Sequence, residues 1–250
     1  MSDLEFTGER LVPSKSPPRL EAEHRARYEF ACNQVRGMKV LDIGCGTGYG
    51  TYMMSGYAQS VSGVDIDKDA IDHAKENYGA TNLNFAVADI RNLPFADGDF
   101  DACVCFEVIE HIENPDTLMQ QASRVLKPSG MLIVSTPNGA VRTSSQRNPY
   151  HVKEFRLGEL RELLIESFPS DKWNISIFGQ FVKGKAYTII GVFAMNIYLG
   201  LKGLLGIKPK DKSGSAGGGK RKGTPAIEFE FGPEEADLAE YLIAVVRGRA

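Results

Sequence analysis

Hydrophobic and polar positions change their period several times along the chain. Over 21–35, apolar residues at Ala22, Ala26, Phe30 and Ala31 fall at helical spacing, which predicts a helix ahead of the first strand and an extended arm before it. From Met38 the pattern becomes regular. Short apolar runs at 38–43, 60–64, 83–87, 100–106 and 131–135 alternate with helical windows at 49–56, 68–78 and 115–126. Runs that are apolar at successive positions suit strands covered on both faces, and their alternation with helices builds βαβ units and a mostly parallel sheet. A helical window at 157–168 then precedes strands at 173–182 and 241–247. Two boundaries carry a mechanism: Asn114-Pro115 reads as an N-cap followed by proline at the first helical position, and Lys127-Pro128-Ser129-Gly130 reads as the stop and turn after that helix.

Between the last two strands the pattern breaks into an insertion, 183–224. Ile189, Ile190, Phe193, Ile197, Leu201, Leu204 and Leu205 share one helical stripe over 187–207, a helix that needs cover. Its uncharged part, 186–201, is shorter than the ~20 apolar residues that cross a bilayer. Lys202, Lys208, Lys210, Lys212, Lys220, Arg221 and Lys222 follow, with only Asp211 opposing them. Two readings stand: a roof over an acceptor pocket with a solvated basic tract, or a peripheral contact of 186–222 with the inner face of the membrane. Phe229 and Phe231 are expected to pack beneath the insertion as core.

With 250 residues, 42% of them hydrophobic and 24% charged, the chain can bury one sizeable core, so we expect an arm or lid over 1–20 and a single α/β domain over 21–250. Lys and Arg total 29 against 32 Asp and Glu, a net charge of -3, which supplies no global field for nucleic acid, and no nucleic-acid partner is expected. Cys32, Cys45, Cys103 and Cys105 form no C-x-x-C pair, and 1–18 holds no apolar leader core, both of which suit a cytoplasmic protein. The oligomeric state leaves no mark in the sequence.

The strongest local signal is Val40-Leu41-Asp42-Ile43-Gly44-Cys45-Gly46-Thr47-Gly48-Tyr49-Gly50, a strand that ends in a glycine-rich turn and opens a helix. Such a turn brings backbone close to a ligand. The spacing is G-x-G-x-G, with Tyr49 where a dinucleotide fingerprint places its third glycine, which favours a ligand without a diphosphate. Asp65 ends the second strand, where a carboxylate can accept from both hydroxyls of a ribose, and Asp89 follows the third strand on the adenine side.

These elements make the span 21–135 resemble the class I S-adenosylmethionine-dependent methyltransferases, which share a Rossmann-like, doubly wound, mostly parallel seven-stranded sheet with an antiparallel last strand. The resemblance implies that Asp42, Gly44 and Gly46 line the methionine moiety, Asp65 the ribose and Asp89 the adenine amino group. Cys45, Ile66, Ile90 and Phe106 complete the expected cofactor contacts.

Methyl transfer from a sulfonium depends mainly on alignment, and a hydroxyl acceptor also needs a base or a metal to take its proton. Phe106-Glu107-Val108-Ile109-Glu110-His111 lies where the fourth strand ends, and as a helix it would put Glu107, Glu110 and His111 on one side. His151 approaches from the loop after the fifth strand. Glu107, Glu110, His111 and His151 thus form a candidate divalent-metal set, with His111, His151 and Glu107 as candidate catalytic groups. A metal-free histidine base and a purely structural acidic helix start are the alternatives.

The pattern E-x-x-E-H with a later histidine resembles the ubiquinone-biosynthesis O-methyltransferases and the metal-dependent 2′-O-methyltransferases of small RNA, although the latter carry a second histidine where this chain has Ile112. Phe6-Thr7-Gly8-Glu9-Arg10, the segment 24–30 and 148–155 resemble bacterial methyltransferases of polysaccharide biosynthesis. The expected activity is O-methylation of a small-molecule or glycan hydroxyl. A lipid-like quinone precursor is a rival acceptor, and a nicotinamide oxidoreductase and a cofactor-binding pseudoenzyme are rivals of another class.

Overall fold

The computed structural model describes residues 10–141, 148–182, 229–232 and 236–249. Helix α1 (Pro18–Gln34) leads into β1 (Lys39–Ile43), α2 (Tyr49–Ser55), β2 (Ser60–Asp65), α3 (Lys68–Asn77), β3 (Leu83–Val87) and β4 (Phe100–Phe106). There follow α4 (Pro115–Val125), β5 (Leu126–Pro137), α5 (Leu157–Ser167), β6 (Trp173–Val182), β7 (Phe229–Gly232) and β8 (Tyr241–Gly248). The strands form one sheet in the order β3-β2-β1-β4-β5-β8-β6-β7. Strands β1 to β5 pair in parallel, and β8 inserts antiparallel between β5 and β6. All seven expected strands are present. The eighth, β7, pairs antiparallel with β6, from Gly179↔Gly232 to Val182↔Phe229, so the backbone at Phe229 and Phe231 extends the sheet edge. The insertion helix over 187–207, the basic tract and the membrane reading of 186–222 lie outside the described residues.

Alternation along the central strands assigns the two cores. Leu41, Ile43, Cys103 and Cys105 face one way, under Leu118, Met119 and Ala122 of α4 and Leu160 and Leu164 of α5. Val40, Ala102, Val104 and Phe106 face the other, under Tyr28, Ala31 and Cys32 of α1 and Met54 of α2. The four cysteines are free and buried, used as small apolar residues. Among the described residues no helix is long and apolar enough to cross a membrane.

Three local expectations need correction. The buried side of α1 is Glu23, Arg27, Tyr28, Ala31 and Cys32; of the expected stripe through Ala22, Ala26, Phe30 and Ala31, only Ala31 is fully buried, with Phe30 half-buried against the core, because this helix buries charged side chains against polar partners. Asn114 does precede Pro115 at the start of α4, but its side chain makes no capping bond and lines the cleft described below. The segment 127–130 is drawn into β5 as an irregular start, with the register shifting between Phe100↔Leu126 and Ala102↔Met131.

Candidate active site

Strand order reverses at β1, which has β2 on one side and β4 on the other, and an open α/β sheet presents its ligand crevice at such a point, beyond the carboxyl ends of the strands. A cleft of about 650 Å³ opens there. One half is made largely of backbone. The N–H groups of Gly44 and Cys45 both donate to Val64 O, at 2.8 and 2.9 Å, tying the turn to β2. Gly46 and Gly48 hold left-handed φ of 52° and 83°. A Cβ on Gly48 would lie 2.6 Å from Ala74 Cβ, whereas one on Gly46 would meet nothing within 4 Å, because Gly46 faces the cleft.

The same turn fixes Asp65. Its Oδ2 accepts from Gly46 N–H and its Oδ1 from Asp67 N–H, both at 2.9 Å, so one backbone donor holds each oxygen and leaves lone pairs toward the cleft. Beside it Ile66 is 63% exposed, an apolar surface left uncovered on the cleft wall. Asp89 lies on the same rim, and its carboxylate pairs with Arg91, whose hydrogen bonds and charge lower its pKa. Arg10 and Leu11 of the N-terminal arm also line the cleft. Arg10 forms an ion pair with Asp67, and Thr47 Oγ1 donates to Leu11 O at 3.3 Å. Cys45, Ile90 and Phe106 are on the wall as well. Asp42 is not. It is fully buried behind the turn, accepting from Thr51 Oγ1 at 2.7 Å and Tyr28 OH at 3.3 Å, and burial pushes its pKa up to about 7 against those hydrogen bonds.

The other half is made of side chains from distant parts of the chain. After β4 the backbone does not continue as a helix: Glu107 takes a left-handed φ of 57°, and only Ile109–His111 form a single 3-10 turn. Glu107 takes partners of its own, although its charge is still felt at Glu110. Glu107 Oε1 accepts from Ser135 Oγ at 2.7 Å, and its Oε2 lies 3.8 Å from Arg27 Nη2. Glu110, His111 and His151 do come together, with one possible ligand atom from each within 4.8 Å of the others. The His111 and His151 rings meet edge to face, 4.8 Å between centroids. His111 Nδ1 is 3.0 Å from Tyr150 O, and a carbonyl only accepts, so that nitrogen carries the proton and Nε2 the lone pair. His151 Nδ1 is 2.9 Å from Glu154 Oε1. Glu110 is wholly buried, accepts from Thr136 Oγ1 at 3.1 Å and leaves Oε1 without a hydrogen-bond partner among the described residues. Burial, with the nearby Glu107 charge, raises its pKa well above the carboxylate range.

Beneath this half lies a buried polar cluster. Arg27 Nη1 donates to Gln180 Oε1 at 2.7 Å, and its guanidinium lies over the Tyr241 ring, 4.3 Å from the centroid. Tyr241 OH donates to Glu23 Oε2 at 3.0 Å, and Gln180 Nε2 to Glu23 O at 3.0 Å. Helix α1, β6 and β8 are thus joined under Glu107, and His24, which lines the cleft, is held below the usual imidazole range by burial and by the Arg27 charge. Of the candidate catalytic and metal residues, all four line the cleft and three converge; Glu107 does not join the trio. Sequence patterns do not single out Glu154, Arg27, Gln180 or Tyr241. The one available signal is Glu154 three residues after His151, a spacing too common in loops to stand out.

Residues 41–134 match the model of a methyltransferase domain. A Mycolicibacterium smegmatis protein named "probable S-adenosylmethionine-dependent methyltransferase" is 32% identical over 167 residues, which are 65% of this chain and 64% of that one. A ubiquinone biosynthesis O-methyltransferase of Glaesserella parasuis is 36% identical over 113 residues, 42% of this chain and 48% of the relative. This chain therefore spans less than two thirds of either relative. The YcgJ protein of Bacillus subtilis has a crystal structure with the same fold, at a TM-score of 0.60 and 18% identity, covering 90% of this chain and 99% of that one. By fold, by the glycine-rich strand-to-helix turn and by these matches, the chain carries a methyltransferase domain over 41–134 and is similar to the class I S-adenosylmethionine-dependent methyltransferases.

Proposed function

We propose that the protein transfers a methyl group from S-adenosylmethionine to a hydroxyl of a small-molecule or glycan acceptor. The observation that carries this reading is the placement of two imidazoles, His111 and His151, on the same cleft as the glycine turn and Asp65. The residues of the glycine half fit the donor. Asp65 presents a backbone-anchored carboxylate suited to a ribose diol, Ile66 offers an uncovered apolar face for a base, and Gly46 leaves the space a Cβ would take. When bound, S-adenosylmethionine supplies a sulfonium methyl already activated for displacement.

The chain's own task is then alignment and proton removal. Holding the acceptor oxygen in line is worth up to about 7–11 kcal/mol of barrier. A neutral imidazole within reach of the acceptor takes the hydroxyl proton, a contribution of roughly 10²–10⁴-fold. The acceptor half presents Glu107, Glu110 and Glu113 beside Asn114 and Asn148, and the Arg27 cation sits behind Glu107. That lining suits a neutral, hydrogen-bonding acceptor better than an anionic one. The O-methyltransferase name of the Glaesserella relative agrees with a hydroxyl acceptor.

A second reading follows from the buried Oε1 of Glu110, which has no hydrogen-bond partner among the described residues. Glu110, His111 and His151 are a donor set a divalent cation could fill, and a cation there would acidify the hydroxyl. Incubation with methyl-labelled donor and a panel of hydroxylated acceptors, with and without chelator, tests both. Label in an ether product supports the proposal, chelator sensitivity selects the metal reading, and transfer only to amines or thiols overturns the hydroxyl assignment.

A further inference from the structure

We infer that Glu154 is a positioning residue that locks the His151 ring in one tautomer and orientation, making His151 rather than His111 the group that accepts the acceptor's proton. The inference deepens the methyl-transfer reading and rests on it for the identity of the reaction. Its own support is geometric. The His151 and Glu154 side chains are 7% and 3% exposed, and Nδ1 lies 2.9 Å from Oε1. A carboxylate accepts from Nδ1–H, so the lone pair is on Nε2 of a ring that lines the cleft. At His111 the group facing Nδ1 is a backbone carbonyl, Tyr150 O. A carboxylate stabilises the developing imidazolium far better than a neutral carbonyl does.

The loop that carries the pair is already held without it. Val152 N–H and Lys153 N–H donate to Glu110 O at 2.7 and 3.1 Å, and Gly139 N–H donates to Phe155 O at 3.0 Å. A Cβ on Gly139 would come 2.7 Å from Glu154 O and 3.3 Å from Glu154 Cβ, so the end of β5 packs directly against this residue. The backbone is thus pinned on both sides of Glu154, and its carboxylate meets the His151 ring from a fixed position.

In the step served, the acceptor oxygen forms a bond to the methyl carbon while the carbon–sulfur bond breaks and its electron pair stays on sulfur. The hydroxyl proton passes to His151 Nε2 and then to water, leaving a methyl ether, a neutral thioether and one proton.

Glu154→Gln keeps the size of the side chain, but its amide can donate as well as accept, so the tautomer is no longer enforced. Nitrogen-15 chemical shifts of the His151 ring in the intact protein should report an Nδ1–H tautomer in the parent and a mixture or an Nε2–H form in the variant. With an acceptor in hand, kcat should fall about 10²–10⁴-fold with KM within about twofold, and Glu154→Asp should recover part of the loss. An unchanged ring tautomer in Glu154→Gln, or a loss confined to KM, overturns the assignment. The ring measurement needs no acceptor, so an absence of hydroxyl methylation would sink the functional reading while leaving the Glu154 assignment to be decided by the spectra.

Discussion

The two halves of the cleft are built from different materials. On the glycine side the decisive contacts are made by main chain: Gly46 and Asp67 N–H groups hold Asp65, and Val64 O holds the turn, all within two consecutive βα units. On the histidine side they are made by side chains: Arg27 from α1, Glu107 and Glu110 after β4, His151 and Glu154 after β5, Tyr241 from β8. A backbone site tolerates changes of acceptor chemistry around it, whereas a side-chain site can be rebuilt without disturbing the fold.

The sharpest test of the division is His151→Ala. If the halves are independent, kcat for any hydroxyl acceptor falls about 10²–10⁴-fold while the affinity for S-adenosylhomocysteine, measured by calorimetry, stays within about twofold. A large loss of affinity would show that the histidine side also shapes the donor site. The mirror experiment is Asp65→Ala. Two hydrogen bonds to a charged acceptor are worth about 1.5–3 kcal/mol each, so S-adenosylhomocysteine binding should weaken by about 10²-fold or more. Transfer from saturating donor should then be less affected than transfer at low donor. Retained affinity in Asp65→Ala would remove the ribose assignment.

The same division explains what could be read from residues alone. The strands and the glycine turn are legible because period, glycine spacing and strand-terminal aspartates are local signals. Asp42 shows their limit: it stands in the motif, yet its carboxylate is spent behind the turn on Thr51 and Tyr28. The histidine side is only half legible. Glu110, His111 and His151 can be named as reactive types, but Glu107, with its left-handed backbone, takes partners of its own, where helical spacing groups it with them. Helix α1 misleads for a related reason. Its buried side carries Glu23 and Arg27, whose partners Tyr241 and Gln180 lie more than 150 residues away and leave no periodic trace.

Each half holds a buried carboxyl with a raised pKa, Glu110 on the histidine side and Asp42 on the glycine side, so substitution is needed to assign the pH dependence to one of them. Under the histidine side sits the Arg27 cation beside Glu107; under the glycine side sits a buried carboxyl, Asp42, with a pKa of about 7. The folded state then keeps a proton on Asp42 across roughly pH 4 to 7 that the unfolded chain gives up. Stability contributed there is present at low pH, declines as pH rises toward 7 and levels off above it, by an amount on the order of a few kcal/mol. Asp42→Asn should flatten that decline in urea melts at pH 5 and pH 8. An identical slope in parent and variant would mean that Asp42 ionises normally and that the glycine side rests on a charge after all.

The smallest expected effect asks whether the glycine side is really a backbone surface. Gly46 and Gly48 both have left-handed φ, but only Gly48 is crowded, with Ala74 and Phe85 inside 3 Å of where a Cβ would stand. Gly46→Ala meets no neighbour, so its structural cost should be the left-handed conformation alone, about 1 kcal/mol. Thermal unfolding should drop by a few degrees, much less than in Gly48→Ala. Its effect on S-adenosylhomocysteine should exceed that, because the added methyl points into the space the ligand is assigned. Should Gly46→Ala lose only that little stability and bind as the parent does, the main chain at Gly46 is not what the cofactor touches, and the contrast between a backbone half and a side-chain half would have to be drawn one residue further along the turn.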